Sequence, residues 1–357
     1  MPVNADVTPK LLSMKNICLS LSIGLLLAGS AAFAQTVATN PVGFISITVK
    51  GGTLAQPSVN LVSPTLTNPI AYQGIVASVS GTTINITGAN FTADQFDGAN
   101  GQFYVEVFSA TQAGVLADIS ATGTSSVTTT QDISGLITAG ESIAIRQHIT
   151  INQFLGATNT YGLLGSNSDA TTADNVYVYS GSSSNTYWYY TGTPGTVPSD
   201  AGWYDLGFSP AGSVTIAPSE GVLIQRRGTG DVTITSTGAV KTGNTLFPVA
   251  HGISVLGTVS AQGLTLATSG LYNGNAGITG SASDATTSDQ VYIYSGNTSN
   301  QYWYYTGTPG VVPTDAGWYD LSFTSAGTVS LPAGASFVVN RINGGAFNWT
   351  LPAPTSF

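Results

Sequence analysis

Aspartate side chains are the residues of this sequence best suited to acid–base or metal chemistry, and they recur at a fixed spacing. The two sets, 115 residues apart, are Asp169, Asp174, Asp200 and Asp205, and Asp284, Asp289, Asp315 and Asp320. A pair such as Asp200 and Asp205 could serve a glycosidase as acid and base. The same pair occurs twice, however, and an enzyme rarely needs two tandem copies of one site, so we predict no catalysis here.

Calcium is the one cofactor that these aspartates suggest. Calcium takes hard oxygen ligands, which suits a protein that would be exported without thiols. The candidate ligands are Asp169, Asp174, Asp284 and Asp289. No D-x-[DN]-x-[DN]-G loop accompanies them, and aspartate before small residues often caps a turn instead. We therefore predict no bound cofactor, with calcium at these four residues as the alternative.

Motifs for common enzyme chemistry are absent from the sequence, which has no G-x-S-x-G, H-E-x-x-H, P-loop or dinucleotide fingerprint. His148 and His251 are the only histidines, and we interpret both as structural. We predict that the protein is not an enzyme, and an exported hydrolase ranks third among our interpretations. A cleft where acidic side chains from different units converge would contradict this prediction.

Tyrosine and tryptophan form the most unusual cluster. The residues that we expect to contact a ligand or another subunit are Tyr187, Tyr189, Trp203, Tyr204, Tyr302, Tyr304, Trp318 and Tyr319. Such rings offer flat, amphipathic contact area for a protein partner or for sugars. The alternative is that they pack in the core and form cross-strand aromatic pairs.

These residues belong to the stretch 169–208, which returns almost unaltered as 284–323. A repeat of this kind shows how the whole fold is built. A fainter relative begins at Phe103 and closes near Arg146, so we interpret the chain as three units, of which the first has diverged.

Within a unit, side chains of a strand alternate between faces, so Val176 and Val178 point to one side. We expect an antiparallel meander with its Val and Trp face inward and its Tyr residues on the opposite face. Aromatic residues occupy both faces of 187–190, so they can all be buried only if the sheet is covered on both sides.

Short segments rich in β-branched and aromatic residues, separated by Gly, Pro and Asn, make up most of the chain after residue 40. Only 109–119 resembles a helix. This pattern predicts an all-β fold of tandem antiparallel β-sandwich or meander units with little helix. The predicted segments are a signal peptide at 1–34, an N-terminal β domain at 35–155, a β repeat unit at 156–228 and a C-terminal β domain at 229–357.

Charged residues make up only 7% of the chain, while 42% is hydrophobic, so there is enough apolar surface to form a core. The formal net charge is −9, and the 8 Lys and Arg residues are scattered. Binding to a phosphate backbone needs a cationic stripe, so we expect no nucleic-acid partner.

The first 35 residues predict export. Lys15 precedes an apolar run at 17–29, and Ala32 and Ala34 form an A-x-A site before Gln35, which is typical of a secretory signal peptide. The translation start could be Met14. The run is too short for a transmembrane helix, so we expect no membrane span after cleavage, and the mature chain loses its only cysteine. We predict a periplasmic, cell-surface or extracellular protein of a Gram-negative-type bacterium.

With these motifs in view, the chain resembles a family of secreted, uncharacterised bacterial proteins seen in Verrucomicrobia. The resemblance rests on the signal peptide, the segment 40–44, the unit from Ala-Asp-x-Val-Tyr to Gly-Trp-Tyr, and the closing segment 349–352. It implies export and an all-β build. The family has no assigned activity, so no catalytic residue is carried over.

Two functions follow as hypotheses. The first is a non-catalytic structural or assembly protein of the cell exterior, in a surface layer, filament or matrix, that associates with itself through β-sheet and aromatic contacts. The second is a carbohydrate-binding or adhesion module that binds cell-surface polysaccharide through the repeated Tyr and Trp faces.

Overall fold

The computed structural model describes residues 41–98, 101–108, 114–196, 199–274, 276–308, 310 and 315–354. The predicted signal peptide and the start at Met14 lie outside these residues. The strands are β1 Val42–Val49, β2 Ser58–Val62, β3 Ile70–Ser80, β4 Thr83–Ile86, β5 Phe103–Val107, β6 Leu116–Thr122, β7 Ser126–Thr129, β8 Ser142–Gln147, β9 Ile149–Thr150, β10 Asn175–Ser180, β11 Ser183–Tyr190, β12 Gly202–Asp205, β13 Thr215–Ile216, β14 Val222–Arg226, β15 Val232–Ala239, β16 Thr245–Val249, β17 Gly252–Leu256, β18 Leu264–Thr265, β19 Gln290–Ser295, β20 Thr298–Tyr305, β21 Gly317–Asp320, β22 Ser330–Leu331, β23 Phe337–Arg341 and β24 Phe347–Leu351.

The predicted all-β fold with little helix is confirmed, because every ladder between these strands is antiparallel. In the described part the α-helix is one short element, α1 (Ile151–Leu155), and Ala285–Thr287 forms a 3-10 turn. Thr150 and Gln153 form a capping box at the start of α1, and Gly156 ends it with a φ of 83°.

The predicted helix at 109–119 is wrong where the structure describes it, since β6 begins at Leu116. Ala117 and Ile119 are buried while Asp118 and Ser120 are exposed. That alternation has the two-residue period of a strand. In a short run of small and apolar residues, this period is hard to distinguish from the period of a helix.

Strands β3 to β8 form a closed six-stranded barrel in the order β3-β4-β7-β6-β5-β8. Its interior is filled by aliphatic and phenylalanine side chains. A buried ion network lies beside it, in which Glu106 on β5 accepts a hydrogen bond from Arg146 Nε at 2.8 Å and also contacts the Lys241 ammonium. Lys241 follows β15, so this network ties the barrel to a distant part of the chain.

Two five-stranded sheets contain the sequence repeat and share one pairing scheme. Their orders are β12-β11-β10-β14-β2 and β21-β20-β19-β23-β17. Each also has an accompanying two-stranded ladder, β1 with β15 and β16 with β24. We call residues 41–67 with 149–239 sheet unit A, and the described residues of 240–354 sheet unit B.

The barrel is an insertion into sheet unit A. In unit B, β17 is followed closely by β18, whereas in unit A the equivalent strands β2 and β9 are separated by the whole barrel. The ends of the insertion lie together, since Asn68 Nδ2 donates to the carbonyl oxygen of His148 at 3.0 Å. Strands β1 and β2 therefore pair with β15 and β14, across the boundary that the sequence suggested at 155.

The two sheet units contact each other through reciprocal edges. Gly221 N in unit A donates to Val255 O in unit B at 3.2 Å, and Ser336 N in unit B donates to Leu61 O in unit A at 3.3 Å. Because equivalent positions meet in both directions, the contact has an approximate two-fold relation of the kind that symmetric dimers use.

The five-stranded sheet of unit A does not have Val and Trp on one face and Tyr on the other, as we expected. Val176 lies opposite Tyr187 in the ladder, and cross-strand partners share a face, so Tyr187 joins Val176 in the core of unit A. Tyr189 and Trp203 join the same core. Trp188 points to the opposite face, which carries a second, smaller cluster.

Candidate functional site

Most of the aromatic residues predicted to contact a ligand are buried within their own sheet unit. Tyr187, Tyr189 and Trp203 belong to the core of unit A, and Tyr302 and Trp318 to that of unit B. Tyr204, Tyr304 and Tyr319 are half-buried. Burial also raises the pKa of Tyr187 and Tyr189 above the ordinary tyrosine value. The five buried rings therefore pack within their own sheet unit, whereas Tyr204, Tyr304 and Tyr319 keep part of their surface exposed.

The outer face of each five-stranded sheet carries a small aromatic cluster. In unit A, Trp188, Tyr190 and Tyr204 surround Phe208, which stacks on Tyr204 with ring centroids 4.5 Å apart. Trp188 Nε1 donates to Asp205 O at 3.2 Å, which ties the cluster to the turn after β12. Its copy in unit B consists of Trp303, Tyr305, Tyr319 and Phe323. Trp188 and Tyr190 are therefore buried on this outer face, while Tyr187 and Tyr189 are buried on the core face.

The turn that follows β12 and β21 exposes two large apolar side chains in each copy. We call Leu206 with Phe208, and Leu321 with Phe323, the Leu-Phe turns. The leucines are 66% and 64% exposed, and the phenylalanines 47% and 50%. Phe208 and Phe323 have φ values of 63° and 61°, a left-handed conformation that is strained for a bulky residue.

Hydrogen bonds hold this strained conformation in place. Asp205 Oδ1 accepts from Ser209 N at 2.8 Å, and the Asp205 carbonyl accepts from Phe208 N at 3.1 Å. Asp320 does the same for Thr324 N and Phe323 N. Asp205 was a candidate for chemistry, whereas Phe208 was not, although it recurs as Phe323 at the same place in the second copy.

Two of the candidate calcium ligands are instead buried acceptors for arginine. Asp174 contacts the Arg226 guanidinium and also accepts from Leu164 N at 2.7 Å. Asp289 contacts Arg341 at 2.8 Å. A carboxylate already engaged by a guanidinium and several N–H groups is poorly placed to coordinate a cation.

The other repeated aspartates cap exposed turns. Asp169 accepts from Thr171 N at 2.8 Å and Asp284 from Thr286 N at 2.8 Å, and these bonds together with those from the threonine hydroxyls lower the pKa of both carboxyls. Asp200 accepts from Thr193 N at 2.7 Å. Within the described ranges no three acidic, histidine or cysteine side chains group closely enough to hold a metal ion.

A cavity lies where the barrel and both sheet units meet. It has a volume of about 500 Å³, within the range of small-molecule sites. The barrel side contributes Asp118 and His148, unit A contributes Glu220, and unit B contributes Ser254. Asp118 and Glu220, from different parts of the chain, thus line one cavity, the kind of arrangement that we named as contrary to a non-catalytic protein, so the other groups of the cavity must decide between binding and catalysis.

The polar groups of this cavity are close to one another but incompletely paired. His148 Nε2 lies 2.9 Å from Asp118 Oδ1, and the His148 ring packs against Tyr104 with centroids 4.7 Å apart. His148 is 3% exposed, and its Nδ1 atom has no hydrogen-bond partner among the described residues. The hydroxyl of Ser254 is likewise buried without a partner.

Glu220 reaches the cavity from the turn before β14. Its carboxylate accepts from Ala217 N at 2.8 Å, and burial raises the pKa of its carboxyl above the ordinary value. The equivalent residue of unit B, 115 positions later, is Ala335. The sequence therefore carried a signal for this site: an acid present in one copy of the repeat and missing from the other.

The chemistry of the cavity suits binding better than nucleophilic catalysis. A triad-like mechanism needs a hydroxyl or thiol hydrogen-bonded to the free nitrogen of the histidine. In the described part of the chain, His148 Nδ1 has no such neighbour. His148 is buried, and it also lines the cavity.

Comparisons with protein-family models, with curated proteins and with solved structures give no match to this chain. No helix within the described ranges is both long and apolar enough to cross a membrane.

Proposed function

We propose that this protein is an exported, non-catalytic assembly protein of the cell exterior, part of a surface layer, filament or matrix. The observation that carries the proposal is the pair of Leu-Phe turns. Each presents a largely exposed leucine beside a half-exposed phenylalanine, and each holds that phenylalanine in a strained conformation. Backbone strain of this kind clusters at functional sites, and exposed apolar patches mark contact surfaces.

Two contact patches on one chain make an assembly possible, because a molecule with two adhesive sites can link to two neighbours. Charged residues make up only 7% of the chain, so few charged side chains would lose their hydration when copies pack together. The partner in this proposal is a second copy of the same chain. Export rests on the signal peptide in the sequence, and the duplicated unit is the source of the two patches.

The test is the assembly state of a variant that carries Leu206→Ser and Leu321→Ser. These leucines are mostly exposed, so their replacement should leave the fold intact while it removes apolar contact area. We expect the wild-type protein to form oligomers or polymers by sedimentation velocity and electron microscopy, and the variant to remain monomeric.

The matched control carries Val42→Ser and Leu54→Ser, which removes two exposed apolar side chains elsewhere. It should assemble like the wild type. Equal assembly by the Leu206/Leu321 variant and the wild type, or a wild-type protein that stays monomeric at all concentrations, would refute the proposal.

A carbohydrate-binding module is the second candidate, favoured by the stacked pair of Tyr204 and Phe208 that is half-exposed in unit A and repeated in unit B. A sugar ring could lie on such a platform. Glycan-array binding that is lost on Phe208→Ala with Phe323→Ala, but kept in the leucine variant, would favour this function over assembly.

A further inference from the structure

The cavity between the barrel and the two sheet units presents hydrogen-bond acceptors. Glu220 and Asp118 both line it, and an ionised carboxylate can only accept. Because Asp118 accepts from His148, the proton of the ring lies on Nε2. In the neutral imidazole the remaining nitrogen, Nδ1, is then an acceptor as well, and it is the buried atom that lacks a partner.

Among the described residues that line this cavity there is no lysine or arginine. The described cations Arg146 and Lys241 are both engaged with Glu106, next to Tyr104 on the outer face of the barrel. An anion would therefore meet two carboxylates without a balancing positive charge. A cation would instead be attracted by the two carboxylates, and the low dielectric constant of the surrounding walls strengthens this attraction.

The remaining wall of the cavity is apolar. Leu136, Leu246, Pro248 and Val255 contribute to it, so the space can hold a short hydrocarbon chain as well as a charged head. This combination of an acceptor-rich end and an aliphatic wall fits an amphipathic ligand.

The duplicated sheets provide an internal comparison. Units A and B share their pairing scheme, yet only unit A has a glutamate at this position, and only unit A has the barrel inserted beside it. The turn folds without the acid, as Ala335 shows in unit B. Glu220 is therefore dispensable for the local fold and is present where the barrel closes a cavity.

We propose that this cavity binds a small organic cation, an alkylammonium ion whose N–H groups donate to Glu220 and Asp118 and whose chain lies against the aliphatic wall. Nδ1 of His148 and the hydroxyl of Ser254 are the other polar groups at this end of the cavity. This site is separate from the Leu-Phe turns, so the proposal does not rest on the assembly function and survives its failure.

Three probes of one shape test the charge preference: n-butylammonium, n-butanol and n-butyrate, each titrated into the purified protein by calorimetry or ligand-observed NMR. We expect saturable binding of butylammonium at pH 8, at least tenfold tighter than that of either isostere. Affinity for butylammonium should fall as the pH drops through the raised pKa of Glu220, because the protonated carboxyl no longer attracts the cation.

The variant Glu220→Gln should weaken butylammonium binding at least tenfold and reduce its pH dependence. Asp231→Asn, which removes an exposed acid paired with Lys50 elsewhere, should bind like the wild type. Thermal melts establish that each variant is folded, and Asp118→Asn replaces Glu220→Gln if the latter unfolds.

Three outcomes would overturn the proposal. The first is absence of saturable butylammonium binding to the folded wild-type protein. The second is binding of butanol or butyrate as tight as that of butylammonium. The third is unchanged affinity in a folded variant at Glu220 or Asp118.

Discussion

The repeated aspartates, which look alike in the sequence, have two different structural roles. Asp174 and Asp289 are buried ion-pair partners that pin the segment before β10 or β19 to the end of β14 or β23. Asp169 and Asp284 cap exposed turns. The two roles differ in the burial of the carboxylate and in the groups that donate to it, and both depend on tertiary structure.

The buried pair should matter most for stability. We expect Asp174→Ala to destabilise the protein by about 3–5 kcal/mol, because it leaves the Arg226 guanidinium buried without its counter-charge. Urea denaturation measures this difference. The matched control, Asp169→Ala, removes an exposed cap and should have a much smaller effect. Similar losses in both variants would contradict the distinction.

Glu220 should produce a pH dependence of stability with a definite sign. Its raised pKa means that the folded protein binds this proton more tightly than the unfolded chain, so stability falls as the pH rises from the ordinary glutamate pKa toward the raised value. Glu220→Gln carries no charge at any pH. We expect the variant to be more stable than the wild type at pH 8 and nearly equal to it at pH 4.

Urea denaturation of both proteins at the two pH values measures this effect. Glutamine keeps the acceptor for Ala217 N, so the comparison isolates the charge. A stability difference of the same size at pH 4 and pH 8 would show that the charge of Glu220 is not its cause.

At the scale of elements, the Leu-Phe turn stores backbone strain that substitution can reveal. Phe208→Ala and Phe208→Gly both remove the ring, but only alanine remains strained at a positive φ. We therefore expect the glycine variant to be the more stable of the two, by about 1 kcal/mol.

Thermal or urea denaturation of the two variants gives the comparison, and the pair Leu206→Ala and Leu206→Gly is the control. Leu206 has no positive φ, so there glycine should be equal to or less stable than alanine. An alanine variant at 208 more stable than the glycine variant would show that the turn relaxes once the ring is gone.

Strand positions were largely predictable from the sequence, while the partners of the strands were not. The short segments rich in β-branched and aromatic residues that follow residue 40 do form strands, among them β1 and β2. Local alternation and turn residues carry that information. The pairing of β2 with β14 does not follow from any local pattern, because the barrel separates them in the chain.

The same limit applies to the candidate site. The repeat pointed to aromatic residues, and the ladder register decided that Tyr187 and Tyr189 share the core face with Val176. The cavity is formed by Asp118, His148 and Glu220, none of which belongs to a local motif. Only the difference between Glu220 and Ala335 could have drawn attention to it.

At the scale of the whole molecule, the barrel should be separable from the two sheet units. Unit B makes the equivalent connection from β17 to β18 without an insertion, and Asn68 and His148 already lie side by side. We expect a protein that lacks 69–147, with two glycines joining Asn68 to His148, to fold. Lys241→Met is included because its partner Glu106 is removed.

Circular dichroism and a cooperative thermal transition measure folding of this shortened protein. It should also lose butylammonium binding, since one side of the cavity is gone. A shortened protein without a cooperative transition would show that the sheet units depend on the barrel.

The pairing of β1 with β15 has a consequence for how the chain matures. Val49 lies beside Val232, and Val42 beside Ala239, so β1 has no partner strand until nearly two hundred further residues have emerged from the ribosome. Contacts of such long sequence separation form late and slowly. During that interval the unpaired edge of β1 is open to β15 of another molecule, and a high local concentration of newly made chains would favour such exchange.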